Sequence, residues 1–153
     1  MMKKVIGILG IATLALGTAA AAQDFGGQLK ARQGQMRIIA INLGILGGMA
    51  KGEIAYDAAT AQAAADSIAG VTMVAPGPLW PEGSDEMSID GTKAKAEIWS
   101  DNAGFLAKYA ELHTAALALQ AAAGQGQEAI GPALGGLGGA CKACHETYRA
   151  PMN

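Results

Sequence analysis

The chain has 153 residues, 51% of them hydrophobic and 5% aromatic, with 22 glycines, two cysteines, two histidines and a formal net charge of −2 at pH 7. That length fits one domain around one core, and the mildly acidic balance argues against nucleic acid as a partner. With so few thiols and imidazoles, metal or redox chemistry has to be concentrated in one place.

At the N-terminus, Lys3 and Lys4 precede an apolar run from Val5 to Leu16, and Ala20-Ala21-Ala22 offers the small-x-small pattern that a signal peptidase cuts after. This predicts a signal peptide over residues 1–22, a mature chain beginning at Gln23 with a formal charge of −4 once Lys3 and Lys4 are gone, and a periplasmic address. An uncleaved anchor competes, because the stretch from Val5 to Ala22 is uncharged and long enough to cross a bilayer. Its second half, however, is small Ala, Gly and Thr rather than large apolar residues.

The mature part, residues 23–153, is read as one domain of helices only. From Phe25, the positions Leu29, Arg32, Met36, Ile39, Leu43, Leu46 and Ala50 fall on one stripe with spacings of three and four, and Lys51-Gly52-Glu53 ends this first helix. Asp57 is placed to cap an alanine-rich second helix with Ala61, Ala64, Ile68, Val71 and Ala75 inward. A loop rich in Pro and Gly follows from Pro76 to Gly91. A third helix is expected from about Thr92 to Ala123, with Ile98, Asn102, Phe105, Tyr109, Leu112, Ala116 and Leu119 on its stripe. Gly124-Gln125-Gly126 separates it from a fourth, which carries Ile130, Leu134, Leu137, Cys141, Cys144 and Tyr148 at the same spacing. Short ends and one longer crossover predict an all-α, antiparallel four-helix bundle.

The last helix is costly on paper. Gly131, Gly135, Gly136, Gly138 and Gly139 each cost about 1 kcal/mol relative to alanine in a helix interior, and Pro132 is tolerable only near a first turn. The preferred reading is that the glycines let a flat macrocycle lie against the helix; the other is that they allow close helix crossings. Gly44, Gly47 and Gly48 on the first helix raise the same question, between a crossing inside the monomer and a homodimer contact.

Cys141-Lys142-Ala143-Cys144-His145 holds both cysteines, and C-x-x-C-H is the signature of covalent haem c attachment. On a helix, positions i, i+3 and i+4 share a face, so two thiols reach the vinyl groups while the imidazole comes beneath the iron. His145 is then the proximal ligand. A thioredoxin-like pair or half a zinc site is the competing reading, but no second ligand pair and no βαβ pattern accompany the motif. Arg32, a guanidinium on an apolar stripe, calls for a buried anion, and a haem propionate would pair with it well. Met36 lies one turn beyond Arg32 on the same stripe. His113 is read as a rim residue, while Lys142 and Arg149 flank the motif and are suited to an acidic redox partner.

The C-terminal C-K-A-C-H-E-T-Y-R resembles the class II c-type cytochromes, which comprise the cytochromes c′ and the low-spin cytochromes c-556. Further matches are A-R-Q-G-Q-M from Ala31, M-A-K-G-E-I-A-Y-D-A-A from Met49, L-W-P-E-G-S from Leu79 and E-I-W from Glu97. The resemblance implies thioethers at Cys141 and Cys144, iron ligation by His145, Arg32 and Gln33 near a propionate, and Thr92 and Lys93 near the haem edge. It also implies that Met36 is either the sixth ligand of a low-spin iron or a residue packed over an open one.

Two functions are therefore expected. The main one is a periplasmic one-electron carrier with His145 and Met36 axial, serving periplasmic redox proteins; the alternative is a high-spin haem protein that binds nitric oxide or carbon monoxide, with homodimerisation common in the family. Catalysis is not expected: the distal stripe has no acid-base histidine, and no hydrolytic constellation is visible.

Overall fold

A computed structural model describes residues 24–152, and the expected signal peptide lies outside them. Four long helices form the frame: α1 (Gly26–Ala50), α2 (Ala58–Thr72), α4 (Asn102–Ala123) and α5 (Gln127–Tyr148), with a single-turn α3 (Glu97–Ser100) leading into α4. Contacts run in a ring, α1 with α2, α2 with α4, α4 with α5 and α5 with α1. The pairing is antiparallel where it can be followed through side chains. Gln62 reaches the Gln120 carbonyl while Thr72 meets His113, so α2 and α4 run in opposite senses. The result is the expected four-helix bundle.

The ends form for local reasons. Asp57 caps α2 by accepting the Thr60 N–H at 2.7 Å, satisfying a donor that the first helical turn leaves free. After α1 the chain turns back so tightly that the N–H groups of Glu53 and Ile54 both bond to the Gly48 carbonyl. A Cβ on Gly48 would stand 2.6 Å from Ile54 Cδ1, and Gly52 has φ +74°. Gly48 therefore serves this turn rather than a helix crossing, and among the described residues a Cβ added at Gly44 or Gly47 would meet no other element within 4 Å.

Two helix boundaries and one proline differ from the sequence expectation. The third helix does not begin at Thr92, because residues 93–95 pair with the end of α5 instead. Ala94 forms an antiparallel bridge with Arg149, Lys95 N–H donates to the Tyr148 carbonyl, and Ala150 N–H donates to the Lys93 carbonyl. Asp101 then interrupts the helix and caps α4 through Gly104 N–H, which moves Asn102 from the expected stripe to an exposed position. Second, α2 stops at Thr72, leaving Ala75 exposed in the loop and Val71 only half-buried. Third, Pro132 lies inside α5 beyond its first turn, on an exposed face where water can meet the Glu128 carbonyl it leaves without a donor.

The five glycines of α5 are exposed, and an added Cβ at any of them would meet nothing within 4 Å. Close helix crossing is not their purpose. The interior divides in two. A main aliphatic cluster runs along the bundle through Leu46, Ile68, Leu119, Ile130 and Leu137, while a smaller aromatic one gathers Ile98, Phe105, Tyr109 and Tyr148 near the α3–α4 break.

Candidate functional site

The two thiols of the C-terminal motif straddle these clusters. Cys141 packs against the aliphatic cluster and Cys144 against the aromatic one. Burial raises the pKa of both, each also being free of any disulfide, so they stand as neutral thiols at the junction. His145 follows at the edge. It lines a solvent-open depression of about 640 Å³ with Lys95, Lys142 and Arg149. Burial, and then the Arg149 charge, lower its pKa, which favours the neutral imidazole that a metal requires. The helix end carrying His145 is fixed by the strap of residues 93–95 and by Tyr148, whose hydroxyl donates to Asp101 at 2.7 Å.

Across from the motif stands α1. Arg32 is 3% exposed, and no carboxylate of the described residues pairs with it. Its protein acceptors are the Ser84 hydroxyl at 3.1 Å and the Ser84 carbonyl at 3.3 Å, with the Trp80 ring 4.5 Å from the guanidinium carbon. Desolvation lowers its pKa. Gln33 turns away to donate to the Gly91 carbonyl at 3.0 Å, at the exposed surface. Met36 is half-buried and packs on the aliphatic cluster that also receives Cys141. Thr92 and Lys93 belong to the strap rather than to a helix start: Thr92 Oγ1 accepts the Ala94 N–H, and the Lys93 carbonyl accepts from Ala150. His113 bonds to Thr72 Oγ1 through Nδ1 at 2.9 Å, in a depression between α2 and α4.

The sequence pattern missed Gln35. It is more deeply buried than Met36 and accepts a hydrogen bond from the Tyr109 hydroxyl at 3.3 Å, while among the described residues its Nε2 has no partner and Trp80 Nε1 is likewise buried without one. Two buried donors, Gln35 Nε2 and Trp80 Nε1, thus lack acceptors beside an Arg32 guanidinium that bonds only to Ser84 among the described residues, and native interiors rarely leave such donors orphaned. A haem fits this set. Its propionates supply anionic acceptors, its vinyl groups suit paired thiols, and its iron suits a neutral histidine. The only sequence signal for Gln35 was its place one residue before Met36 in A-R-Q-G-Q-M.

These features define a helical-bundle protein built around covalently attached haem. Similarity agrees: the family model described as Cytochrome C′ matches residues 27–149. A cytochrome c′ of Cereibacter sphaeroides is 43% identical over 141 residues, covering 91% of this chain and 95% of the relative. A cytochrome c-554 of Cereibacter sphaeroides is 38% identical over 121 residues, covering 79% and 91%. Among solved structures, a cytochrome c′ from Rhodobacter spheriodes superposes with a TM-score of 0.80 at 40% identity, covering 85% of this chain and all of that one. A nitric oxide complex of a cytochrome c prime variant from Alcaligenes xylosoxidans has a TM-score of 0.73 at 29% identity, covering 84% and 97%. The chain belongs to the cytochrome c′ family, and its cofactor is haem c.

Proposed function

We propose that this protein is a cytochrome c′-type gas-binding haem protein of the periplasm, with an open distal iron site lined by Met36. The observation carrying this reading is the 43% identity to a relative named cytochrome c′ over nearly its whole length, supported by the structural likeness to a nitric oxide complex. When bound, the haem supplies an iron that takes up one electron or one diatomic ligand. Cys141 and Cys144 would anchor it as thioethers, and His145 would offer its neutral imidazole to the iron. Arg32 would offset propionate charge, and Met36 would line the open iron site from the aliphatic cluster. No catalytic residue is assigned.

A second reading keeps Met36 as sixth ligand of a low-spin one-electron carrier. It is favoured by the cytochrome c-554 relative and by the packing of Met36 on the same cluster as Cys141. The test is the optical spectrum of the holoprotein, ferric and dithionite-reduced, with and without carbon monoxide. Broad high-spin bands that shift with carbon monoxide support gas binding; sharp α and β bands that ignore it make the protein an electron carrier. Residues 1–22 are proposed as the export signal and 23–153 as the haem domain. The outer face of α1, with exposed Ile38 and Ile41 beside Gly44, is proposed as a homodimer contact.

A further inference from the structure

Ser84 is fully buried in a loop, yet its side chain belongs to no helix cap. Its hydroxyl donates to the Pro81 carbonyl at 2.7 Å. That commits the only proton of the group, so toward Arg32 the oxygen can act only as an acceptor. It accepts from one terminal nitrogen of Arg32 at 3.1 Å, and the Ser84 carbonyl accepts from the other at 3.3 Å. The guanidinium carbon lies over the Trp80 ring, 4.5 Å from its centroid, a contact that suits a delocalised cation. Trp80 is itself pinned, its carbonyl accepting from Trp99 Nε1 at 3.0 Å and its ring meeting Phe105 edge-on at 5.1 Å.

We propose that Trp80 and Ser84 are positioning residues, a cradle that fixes the Arg32 guanidinium in the one orientation that presents its remaining N–H donors to a haem propionate. The proposal rests on the haem reading above. Arginine offers five donors in a rigid fork. Two are engaged by Ser84 and the guanidinium carbon is held over the Trp80 ring, so the direction of the rest is set by the loop rather than by rotamer choice. Fixed positive charge near the iron favours the less positive, reduced state. Loosening the cradle therefore lowers the reduction potential even where the fold survives.

The experiment compares holoprotein variants by potentiometric titration and by the propionate bending mode in resonance Raman spectra. Arg32→Leu is the reference for complete loss. Ser84→Ala and Trp80→Leu should lower the potential and shift the propionate mode in the same direction as Arg32→Leu but by less, while Trp80→Phe, which keeps a ring face but removes Nε1–H, should fall between Trp80→Leu and wild type. If Arg32→Leu moves both readouts and neither cradle variant moves either, the cradle is ordinary packing and the proposal fails. If Arg32→Leu moves neither, the placement of a propionate at Arg32 fails and takes the proposal with it. The spin-state bands of the same spectra report the iron coordination separately, so the choice between gas binding and electron transfer is judged independently. Should Trp80→Leu fail to load haem, Ser84→Ala, which removes a single oxygen, decides.

Discussion

At the scale of single residues, the site is organised by buried polar groups more than by apolar ones. Arg32 is buried with only Ser84 as acceptor, and Gln35 Nε2 and Trp80 Nε1 have no acceptor among the described residues; an unsatisfied buried donor costs about 1–3 kcal/mol. Tyr148 shows the opposite case, a polar group fully used. Its hydrogen bond to Asp101, together with burial and the carboxylate charge, pushes its pKa up to about 12. The folded state thus holds this proton more tightly than the unfolded chain, where a phenol ionises near about 10. The associated stability is fully present below about pH 10 and is lost as pH rises through the folded value. In an ultraviolet phenolate titration, the component ionising at about 12 should be absent from Tyr148→Phe and should move down in Asp101→Asn.

At the scale of elements, caps and glycines act in opposite directions. Hydrogen bonds from Thr60 hold the Asp57 pKa below the usual carboxylate range. Its contribution to stability is therefore present above about pH 4 and is lost as pH falls through the folded value. Thermal melts should show Asp57→Ala less stable than wild type at pH 7, with the gap narrowing on acidification, and Asp57→Asn close to wild type throughout. Helix α5 accepts its glycines with no packing return from the protein: Gly135 is exposed and open on the side a Cβ would occupy. Gly135→Ala should stabilise the holoprotein by about 1 kcal/mol in urea unfolding. A loss of stability instead would mean that the macrocycle lies against this face.

At the scale of the whole molecule, the two core clusters meet at the haem motif, one against Cys141 and one against Cys144. Gln35 Nε2 and Trp80 Nε1 are unpaired in the same interior among the described residues, and their summed cost is a sizeable share of the about 5–15 kcal/mol by which a domain is stable. A Cys141→Ala, Cys144→Ala chain should accordingly lose much of its helicity in far-UV circular dichroism, and native helicity in that variant would overturn this account. The helix stripes were legible because burial imposes a period on them: Phe105, Tyr109, Leu112, Ala116 and Leu119 are all buried as their spacing required. The start of the third helix was not legible. Residues 93–95 are drawn into pairing with the end of α5 by contacts about fifty residues away in sequence, which no local pattern encodes.

The sequence by itself determined the bundle, the haem motif and the buried guanidinium, because each follows from short-range spacing or from the chemistry of one residue type. Arg32 could be singled out since a charge on an apolar stripe must either find a polar or anionic partner or snorkel to solvent. Only the tertiary structure decided that Gln35 is buried more deeply than Met36, that Thr92 and Lys93 join a strap, and that Trp80 and Ser84 hold Arg32 from a loop far along the chain. The reason is physical: a helical face is fixed only to within a fraction of a turn by its own residues. Which of its side chains meets the interior is settled by the elements packed against it.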